Sequence, residues 1–357
     1  MENLVAELKS IYSEKRILVT GHNGFKGSWL VALLNILGAE VHGVSLEIDQ
    51  NSAFNNFHLE GPHASTIQDI RDFDALNKLV KISNPDLVFH LAAQALVLNS
   101  YENPRETFEV NVQGTANLLD SVIATKSRGV VVATTDKVYR NNNSGNEFKE
   151  SDELWGHDPY SLSKTGSELV VAAWRNLQTS NHCKFVTVRA GNVYGPGDRA
   201  DNRLLPDLIR GMTDGIEVVI RNPNSIRPWQ YVLDPLIGYL IVGLKILNNE
   251  EVSRSYNFGP RAGSFLSVGE LVNEFCSIAD VRTRQSNFQG ELEAKVLKLN
   301  SALAHVELGW DSFIGIKEGL GYVVNIESGE FSKTIINCHI QEYLARLSQS
   351  STNQFHN

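Results

Sequence analysis

Short apolar runs alternate with amphipathic stretches through the first half of the chain. This alternation is typical of successive βαβ units, whose strands lie parallel in one sheet. The apolar runs predict five strands, at Arg16–Thr20, Glu40–Ser45, Leu87–Ala92, Gly129–Thr134 and Phe185–Ala190. The amphipathic stretches between them predict four helices, at Ser28–Leu37, Phe73–Ser83, Pro104–Thr125 and Tyr160–Asn176. We therefore expect an α/β fold with a doubly wound parallel sheet.

The alternation weakens after Gly195, which predicts a smaller, mixed α/β C-terminal substrate domain. Its predicted elements are a helix at Leu204–Thr213, a strand at Glu217–Ile220 and a helix at Asp234–Leu247. We expect a nucleotide-binding domain over 1–195 and a substrate domain over 196–345, interleaved with the first. Two polar segments complete the prediction: a loop at Arg140–His157 and a tail at 346–357, disordered from Ser348 onward.

Composition narrows the class of protein. The 357 residues suffice for roughly two domains, and the net charge of −9 argues against nucleic-acid binding. The longest apolar stretch, Tyr239–Leu247, is shorter than the ~20 residues of a membrane span. The cysteines lack metal-ligand spacing, and the N-terminus lacks the basic and apolar regions of a secretion signal. A cytoplasmic protein with reduced thiols and no metal is expected.

A glycine-rich loop follows the first predicted strand. Gly21, Gly24 and Gly27 have G-x-x-G-x-x-G spacing and precede an amphipathic helix. Such glycines let the backbone approach a pyrophosphate at a helix N-terminus, so a Rossmann-type dinucleotide site is predicted. Acidic residues Glu47 and Asp49 follow the second strand, and either can accept a hydrogen bond from the adenosine ribose; this favours NAD over NADP.

For each of three further positions near this loop, two interpretations stay open. His22 and Lys26 are either surface residues of the loop or contacts to the phosphates. Asp69, which precedes Ile70, either borders the adenine or caps the following helix.

The strongest chemical signal is a tyrosine and a lysine four residues apart, Tyr160 and Lys164. On one helix face, the ammonium stabilises the phenolate, and such a pair oxidises an alcohol beside a nicotinamide. Thr135, Asp136 and Lys137 follow a predicted strand, and ligands bind at the carboxyl ends of parallel strands. Asp136 and Lys137 add an acid and a base that simple alcohol oxidation does not require. Their alternative interpretation is an exposed ion pair.

Several segments resemble the extended short-chain dehydrogenase/reductase family and, within it, the nucleotide-sugar 4,6-dehydratases. The less specific segments are VTGHNGFKGSWL (Val19–Leu30), HLAAQ (His90–Gln94), NVQGT (Asn111–Thr115), TTDKVY (Thr134–Tyr139), DPYSLSK (Asp158–Lys164) and RAGNVYGPGD (Arg189–Asp198). The more specific are RLLPDLIR (Arg203–Arg210) and IRNPNSIRPWQYVLDPLIGYL (Ile220–Leu240). The Asp-Lys pair and the IRPWQYVLDP segment point to the branch that acts on CDP-sugars.

The resemblance implies which residues meet each ligand. The expected NAD contacts are Gly21, Asn23, Gly24, Phe25, Lys26, Gly27, Glu47, Asp69, Ile70, Leu91, Ala92, Ala93, Gln94, Asn111, Thr134, Tyr160, Lys164, Asn192 and Val193. The expected contacts to a nucleotide-sugar substrate, with CDP-glucose as the simplest choice, are Thr135, Asp136, Lys137, Tyr160, Asn192, Arg203, Leu204, Asn222 and Arg227. Trp229 either packs in the core, which we favour, or stacks on the base.

The resemblance also implies a reaction. Tyr160, helped by Thr135 and Lys164, removes the proton of the glucose 4-hydroxyl as hydride passes to NAD⁺. Asp136 protonates the leaving 6-hydroxyl, and Lys137 removes the C5 proton, where dTDP-sugar relatives carry a glutamate. Hydride then returns to C6, so NAD is regenerated in each cycle. A lysine base must be partly neutral, which desolvation or a neighbouring cation favours.

Departures from the family pattern leave alternatives open. The relatives read GGGDW where this chain reads GPGDR, so Pro196 and Arg199 alter the expected sugar pocket and another nucleotide-hexose stays possible. An epimerase would keep Tyr160 and Lys164 without needing Asp136 and Lys137. A net-redox reductase and a catalytically silent NAD-binding scaffold fit less well. Self-association as a dimer or tetramer is implied, through the helices at Pro104–Thr125 and Tyr160–Asn176.

Overall fold

The fold is described from a computed structural model, over residues 4–47, 64–177, 183–261, 263–286, 294–329 and 332–353, with side chains to 349. Its centre is a seven-stranded parallel sheet in the order β11-β6-β5-β4-β1-β2-β3. The strands are β1 (Arg16–Thr20), β2 (Glu40–Ser45), β3 (Ser65–Ile67), β4 (Leu87–His90), β5 (Gly129–Ala133), β6 (Lys184–Ala190) and β11 (Ser255–Phe258). This confirms the predicted doubly wound fold.

Helices cover both faces of this sheet. One face packs against α3 (Phe73–Ser83), α6 (Gly114–Ile123) and α7 (Pro159–Leu177). The other packs against α1 (Leu4–Tyr12), α2 (Phe25–Ile36) and α9 (Leu233–Leu247). The inner strand β5, GVVVA, is buried along its whole length, because helices cover both of its faces.

Local sequence signals set most boundaries in the first half. Helix α3 begins where the Asp72 carboxylate accepts the backbone N–H of Ala75, and it ends at Asn84 in the left-handed conformation. Helix α7 begins after Asp158, whose carboxylate accepts from the backbone and hydroxyl of Ser161. Asp158 therefore caps α7, and Pro159 occupies its first turn, where a missing backbone N–H costs nothing.

The predicted helix at Pro104–Thr125 is not continuous. It consists of α5 (Pro104–Phe108), a π-helical turn at Glu109–Gln113 and α6, and the short α4 (Val97–Glu102) precedes it. Within the π turn, the carbonyl of Asn111 accepts hydroxyl hydrogen bonds from Thr115, at 2.6 Å, and from Ser167 of α7, at 2.7 Å. These side-chain donors stabilise the irregular turn and tie it to α7.

The second half combines small sheets with helices. Its strands are β7 (Asn192–Tyr194), β8 (Val218–Ile220), β9 (Ile226–Arg227), β10 (Trp229–Tyr231), β12 (Leu266–Ser267) and β13 (Thr283–Gln285), paired β7–β10, β9–β12 and β8–β13. Its other helices are α8 (Leu204–Asp214), α10 (Val268–Cys276), α11 (Ala302–Leu308), α12 (Ile316–Glu327) and α13 (Lys333–Asn353). Because β11 returns to the edge of the main sheet, the two halves share one core.

Two predictions about polar segments have different outcomes. The loop at Arg140–His157 contains no helix and only isolated bridges, from Leu154 to Tyr139 and from Phe148 to Leu299. The tail prediction was wrong for Ser348 to Asn353, because α13 continues to Asn353. This helix packs on α1 and α2 through Ile336, Ile340 and other buried apolar residues, which a polar C-terminal end does not reveal. No helix in the described ranges is long and apolar enough to span a membrane.

A buried carboxylate, Asp234, connects α9 to the C-terminal elements. Its Oδ2 accepts hydrogen bonds from the Ser312 hydroxyl and from the backbone N–H groups of Phe313 and Ile314, and its Oδ1 accepts from the Tyr343 hydroxyl. Replacing Asp234 with alanine would leave these four buried donors without their acceptor. We expect Asp234→Ala to lower the free energy of unfolding by about 3 kcal/mol in urea denaturation. Asp280→Ala, at an exposed position, is the control and should change it by less than about 0.5 kcal/mol.

Candidate active site

The glycine loop lies between β1 and α2. Gly21 has φ +72°, and a Cβ there would lie 2.6 Å from the backbone nitrogen of Ala92. At Gly27 a Cβ would lie 2.0 Å from the Gly21 carbonyl oxygen, so neither position accepts a side chain without movement of the backbone. The first turn of α2 contains no acidic residue, which leaves its N-terminus favourable for an anion. The loop therefore has the shape and polarity that a pyrophosphate requires.

Residues around the far end of this loop have distinct environments. Asn23 donates its side-chain N–H to the Leu46 carbonyl at 2.8 Å, which ties the loop to the end of β2. Glu47 follows β2 and is exposed, whereas Asp49 lies outside the described residues. Phe25 packs against the core and approaches Gly195.

Two expectations for this region need correction. His22 is not a surface residue: it is 3% exposed, its Nε2 lies 2.7 Å from the Ser65 hydroxyl, and its ring fills the space over Gly43. Burial lowers the pKa of His22, so a neutral ring is favoured. Asp69 does not cap α3, since Asp72 does; its carboxylate is held by Arg71 at 2.6 Å, and that bond lowers the pKa of Asp69. Ile70 is buried under α6.

A buried histidine, His90, holds the end of β4 in place ahead of the segment that follows it. His90 Nδ1 lies 2.6 Å from the Thr20 hydroxyl, and Nε2 lies 3.1 Å from the Thr115 hydroxyl. Because Thr115 donates its own proton to Asn111, Nε2 is the protonated nitrogen and Nδ1 accepts from Thr20. Burial, with the Lys164 charge, lowers the pKa of His90 to about 3, so the ring is neutral.

The segment Leu91–Gln94 then passes over the glycine loop. Leu91 and Ala92 donate their backbone N–H groups to Thr20, and the neighbouring Ala93 is partly buried. Gln94 exchanges two hydrogen bonds with Asn111, whose amide also donates to Ser163 of α7 at 2.8 Å. The expected cofactor residues after β4 are therefore joined to the catalytic helix through the π turn.

The predicted catalytic residues meet at the carboxyl end of β5. Lys164 donates to the carbonyl of Ala133 at 2.8 Å, and the Thr135 hydroxyl lies within hydrogen-bonding reach of the Tyr160 phenol. Burial raises the pKa of Tyr160, and the Lys137 charge and the Thr135 hydroxyl oppose that rise. Burial, assisted by the nearby Lys26 cation, lowers the pKa of Lys164 to about 7. In the free protein, burial therefore favours the uncharged form of both side chains.

Lys26 extends from the glycine loop into the same crevice. Its ammonium lies 6.0 Å from the centre of the Tyr239 ring and interacts electrostatically with Arg203, Asp136 and Lys164. Burial and the Arg203 charge lower the pKa of Lys26 to about 8. Of its two sequence interpretations, the surface position is therefore excluded.

Asp136 and Lys137 are not an exposed ion pair. Asp136 is 2% exposed, and its Oδ1 accepts from the Thr135 hydroxyl at 3.0 Å. Its Oδ2 is buried and has no hydrogen-bond partner within the part of the chain that the structure describes. The Lys137 ammonium lies 3.9 Å from Oδ1, and its side chain is one-fifth exposed. A buried carboxylate oxygen without a partner is costly unless it meets a ligand.

The second half supplies the opposite wall of the crevice. Arg203, at the start of α8, reaches across it and donates to Asp198 and to the Ala95 carbonyl, each at 3.4 Å. Asn192 lies on β7, and its buried Oδ1 has no partner among the described atoms. Arg227 is buried on β9, Asn222 is half-buried ahead of it, and Leu204 packs into the core beside Arg203.

A cavity of about 360 Å³ lies beside this wall, between α8 and β8. Asp207, Arg210 and Arg221 are among its lining residues, so charged side chains border a surface that is otherwise largely apolar. The cavity is large enough for part of a nucleotide. Its lining residues include direct sequence neighbours of Arg203 and Asn222.

The structure also settles two sequence questions about this wall. Trp229 packs in the core, with 5% exposure and its indole N–H donated to the Leu266 carbonyl. Arg199, which departs from the family pattern, forms a bidentate ion pair with Glu327 of α12, at 2.9 and 2.6 Å. Arg199 therefore joins the GPGDR segment to α12.

Two polar residues near this crevice were not among the site residues predicted from the sequence. The Tyr239 hydroxyl on α9 is buried, interacts electrostatically with Tyr160 and has no hydrogen-bond partner among the described residues. Gln230 on β10 is 2% exposed, shares a strand face with Val193, and its amide likewise lacks partners within the described ranges. Both residues occur in largely apolar stretches of the sequence. A single polar residue within such a stretch is the only feature that could have identified either of them as a site residue.

Comparison with known proteins gives the family. The model of the NAD dependent epimerase/dehydratase family matches residues 17–259, which include the glycine loop, the Tyr160–Lys164 pair and the segment around Arg227. The chain belongs to this family. A CDP-glucose 4,6-dehydratase of Salmonella typhimurium is 40% identical over 327 residues, covering 88% of this chain and 91% of the relative. A probable dTDP-glucose 4,6-dehydratase of Sinorhizobium fredii is 27% identical, covering 88% and 93% of the two chains.

Solved structures of family members share the fold. The NDP-hexosamine 5,6-dehydratase TunA, described as NAD dependent, has a TM-score of 0.71 at 25% identity and covers 87% of this chain and 97% of its own. A double mutant of DesIV, a dTDP-glucose 4,6-dehydratase of Streptomyces venezuelae solved with NAD bound, has a TM-score of 0.75 at 24% identity, covering 87% and 95%. Together with the glycine loop, these findings make the cofactor of this family member NAD.

Proposed function

We propose that this chain is a CDP-glucose 4,6-dehydratase, which converts CDP-glucose to CDP-4-keto-6-deoxyglucose and water. The observation that carries the proposal is the Asp136 carboxylate, buried beside Tyr160 and Lys137 with one oxygen that lacks a partner among the described residues. An acid and a base next to the oxidising pair suit elimination of water from a sugar. The 40% identity to a CDP-glucose 4,6-dehydratase supports CDP-glucose as the substrate.

The glycine loop and its surroundings would hold NAD. The backbone of Gly21, Gly24 and Gly27 at the N-terminus of α2 would receive the pyrophosphate, Glu47 the adenosine ribose, and Val193 and Lys164 the nicotinamide half. When bound, NAD accepts the sugar's C4 hydrogen as hydride and later returns it to C6.

The chain's own residues manage the protons. Tyr160 takes the 4-hydroxyl proton, with the Lys164 ammonium stabilising the phenolate and Thr135 orienting the hydroxyl. The resulting 4-ketone acidifies the C5 proton, which Lys137 removes while Asp136 protonates the departing 6-hydroxyl. Lys137 returns a proton to C5 when hydride reaches C6, which completes the 4-keto-6-deoxy sugar. Asn192 and Arg227 would hold the sugar diphosphate, since a guanidinium suits phosphate oxygens.

Incubation of the purified protein with CDP-, dTDP-, GDP- and UDP-glucose tests the proposal. We expect base-labile 4-keto absorbance to develop fastest with CDP-glucose, at least about tenfold above the other nucleotides, because contacts to the base discriminate by 1–3 kcal/mol. The product should be a 6-deoxy sugar by NMR, and free NADH should not accumulate. NADH formed in proportion to sugar, or a product that differs from glucose only at C4, would instead establish a reductase or an epimerase.

A second copy of this chain is the partner we propose for α5 and α7. Tyr101, Phe108, Leu169 and Leu177 expose 41 to 65% of their surface on this side of the molecule. Exposed apolar side chains of this kind are typical of helical dimer interfaces. We expect a dimer by light scattering and a monomer for Leu169→Glu combined with Phe108→Glu. A monomeric wild-type protein at micromolar concentration would contradict the assignment.

A further inference from the structure

Helix α7 presents a third ionisable residue beyond its catalytic pair. Tyr160, Lys164 and Glu168 are spaced by four residues, so they lie along one face of the helix. Tyr160 reaches Thr135, Lys164 donates to the Ala133 carbonyl, and Glu168 accepts from the Thr134 hydroxyl at 2.6 Å. The three side chains therefore hold three consecutive residues at the end of β5.

Glu168 is itself held by the neighbouring strand β6. Arg189 donates Nε to Oε1 at 2.8 Å and Nη2 to Oε2 at 2.9 Å, and the Thr187 hydroxyl donates to Oε2 at 2.8 Å. Both members of the ion pair expose only 4% of their side chains. All four hydrogen bonds that Glu168 accepts come from β6 and from the residue that follows β5, so this carboxylate fixes α7 against two adjacent strands.

Arg189 extends the network to the second half of the chain. Its Nη1 donates to the Tyr139 hydroxyl at 2.8 Å, and that hydroxyl donates to Asn257 of β11 at 2.6 Å. Glu168 therefore has fixed partners on β6 and after β5, and Lys164 lies one helical turn away on α7. Because a buried carboxylate favours a neighbouring ammonium, Glu168 opposes the loss of the Lys164 proton.

We propose that Glu168 is a positioning residue, which sets the register of α7 against β5 and keeps the Lys164 ammonium in place one helical turn from Tyr160. The inference rests on the proposed function only for its kinetic consequence. The geometry itself, a carboxylate shared by Thr134, Thr187 and Arg189, does not depend on the substrate.

The charges around Tyr160 and Lys164 determine in which direction their pKa values move when the Glu168 carboxylate is removed. Lys164 faces Lys26 of α2, His90 of β4 and Glu168 of its own helix. Tyr160 faces Lys137 and Asp136 after β5 and Arg203 at the start of α8, with Tyr239 of α9 nearby. Burial already lowers the pKa of Lys164 to about 7, and Glu168 acts in the opposite direction. Without the carboxylate, Lys164 loses its proton at lower pH and Tyr160 ionises at higher pH.

The test uses Glu168→Gln in the full-length holoenzyme, because glutamine keeps the shape and one acceptor oxygen but removes the charge. We expect the alkaline limb of the kcat profile to move down by about one pH unit, and kcat at pH 8 to fall at least about tenfold. We also expect the ultraviolet titration of Tyr160, measured as the difference from the same protein carrying Tyr160→Phe, to move to higher pH. That titration needs no substrate, so it tests Glu168 even if CDP-glucose is not turned over.

Two further variants separate positioning from stability. Glu327→Gln is the matched control, since Glu327 is also a buried glutamate that pairs with an arginine through two hydrogen bonds. It should lower the melting temperature without moving either titration. Glu168→Asp keeps the charge on a shorter side chain, so it should restore the alkaline limb while kcat stays reduced.

Unchanged titrations in Glu168→Gln would overturn the proposal, because Glu168 would then serve stability alone. Equal shifts in Glu168→Gln and Glu168→Asp would also overturn it. If Glu168→Gln does not fold, Glu168→Gln combined with Arg189→Gln removes both buried charges, and the same shift in the Tyr160 titration is required.

Discussion

Tyr160→Phe is expected to reduce kcat with CDP-glucose by at least about 1,000-fold, the range that a positioned acid or base contributes. Phenylalanine keeps the buried ring but removes the hydroxyl that interacts with Thr135. Because hydride cannot leave C4 until the 4-hydroxyl proton is removed, every later step is lost as well. The measurement is the rate at which 4-keto product forms at saturating substrate.

The matched control for this variant is Tyr194→Phe. Tyr194 is also a buried tyrosine, but its ring packs against Tyr231 in the core and its hydroxyl only meets the Ile316 carbonyl at 3.3 Å. Its rate should stay within about threefold of the wild type. The binding of NAD, followed by protein fluorescence, should be similar in both variants. A Tyr160→Phe enzyme that keeps a tenth of the wild-type rate would show that another group removes the 4-hydroxyl proton.

Local patterns explain why the first half was predictable. Strands β1 and β2 and helix α3 have the predicted limits, because their apolar runs and capping residues are encoded within a few positions. The pairing of Tyr160 with Thr135 also follows from a general rule, that strand ends of a parallel sheet converge. Neither conclusion requires knowledge of distant contacts.

Long-range contacts explain what the sequence did not reveal. Strand β11 has the short sequence SYNF, and only its pairing with β6, about 70 residues earlier, makes it the edge of the main sheet. The π turn at Asn111 depends on hydroxyl groups of Thr115 and, from α7, Ser167. Similarly, Glu168 looks like one polar residue of an amphipathic helix until Arg189 is placed beside it. Contacts between residues this far apart in the chain form only on folding, so local sequence patterns do not reveal them.

Several polar atoms of the crevice are buried without a hydrogen-bond partner among the described residues. They belong to Asp136, Asn192, Gln230 and Tyr239. In a folded core such atoms are uncommon, because each costs roughly 1 to 3 kcal/mol. From their concentration around Tyr160 and β7 we infer that NAD and the sugar nucleotide of the proposed reaction supply their hydrogen bonds. The cost in the free protein then contributes to the specificity for ligands with matching polar groups.

Lys137→Ala is expected to separate the two halves of the reaction. The oxidation at C4 should continue, because Tyr160, Lys164 and Thr135 are unchanged, whereas removal of the C5 proton should slow by at least about 100-fold. Enzyme-bound NADH should therefore accumulate on mixing with CDP-glucose and be visible by its absorbance. In deuterated water, incorporation of deuterium at C5 should fall in parallel with product formation.

Two comparisons make the Lys137 result decisive. Lys149→Ala removes an exposed lysine of the polar loop and should have the wild-type rate, which controls for the loss of one positive charge. Lys137→Arg keeps a cation beside Asp136 but cannot accept a proton at neutral pH. If Lys137→Arg eliminates water at the wild-type rate, the lysine acts only through its charge on Asp136 and Tyr160. If it accumulates NADH as the alanine variant does, the base is Lys137 itself, because charge alone then fails to restore the step.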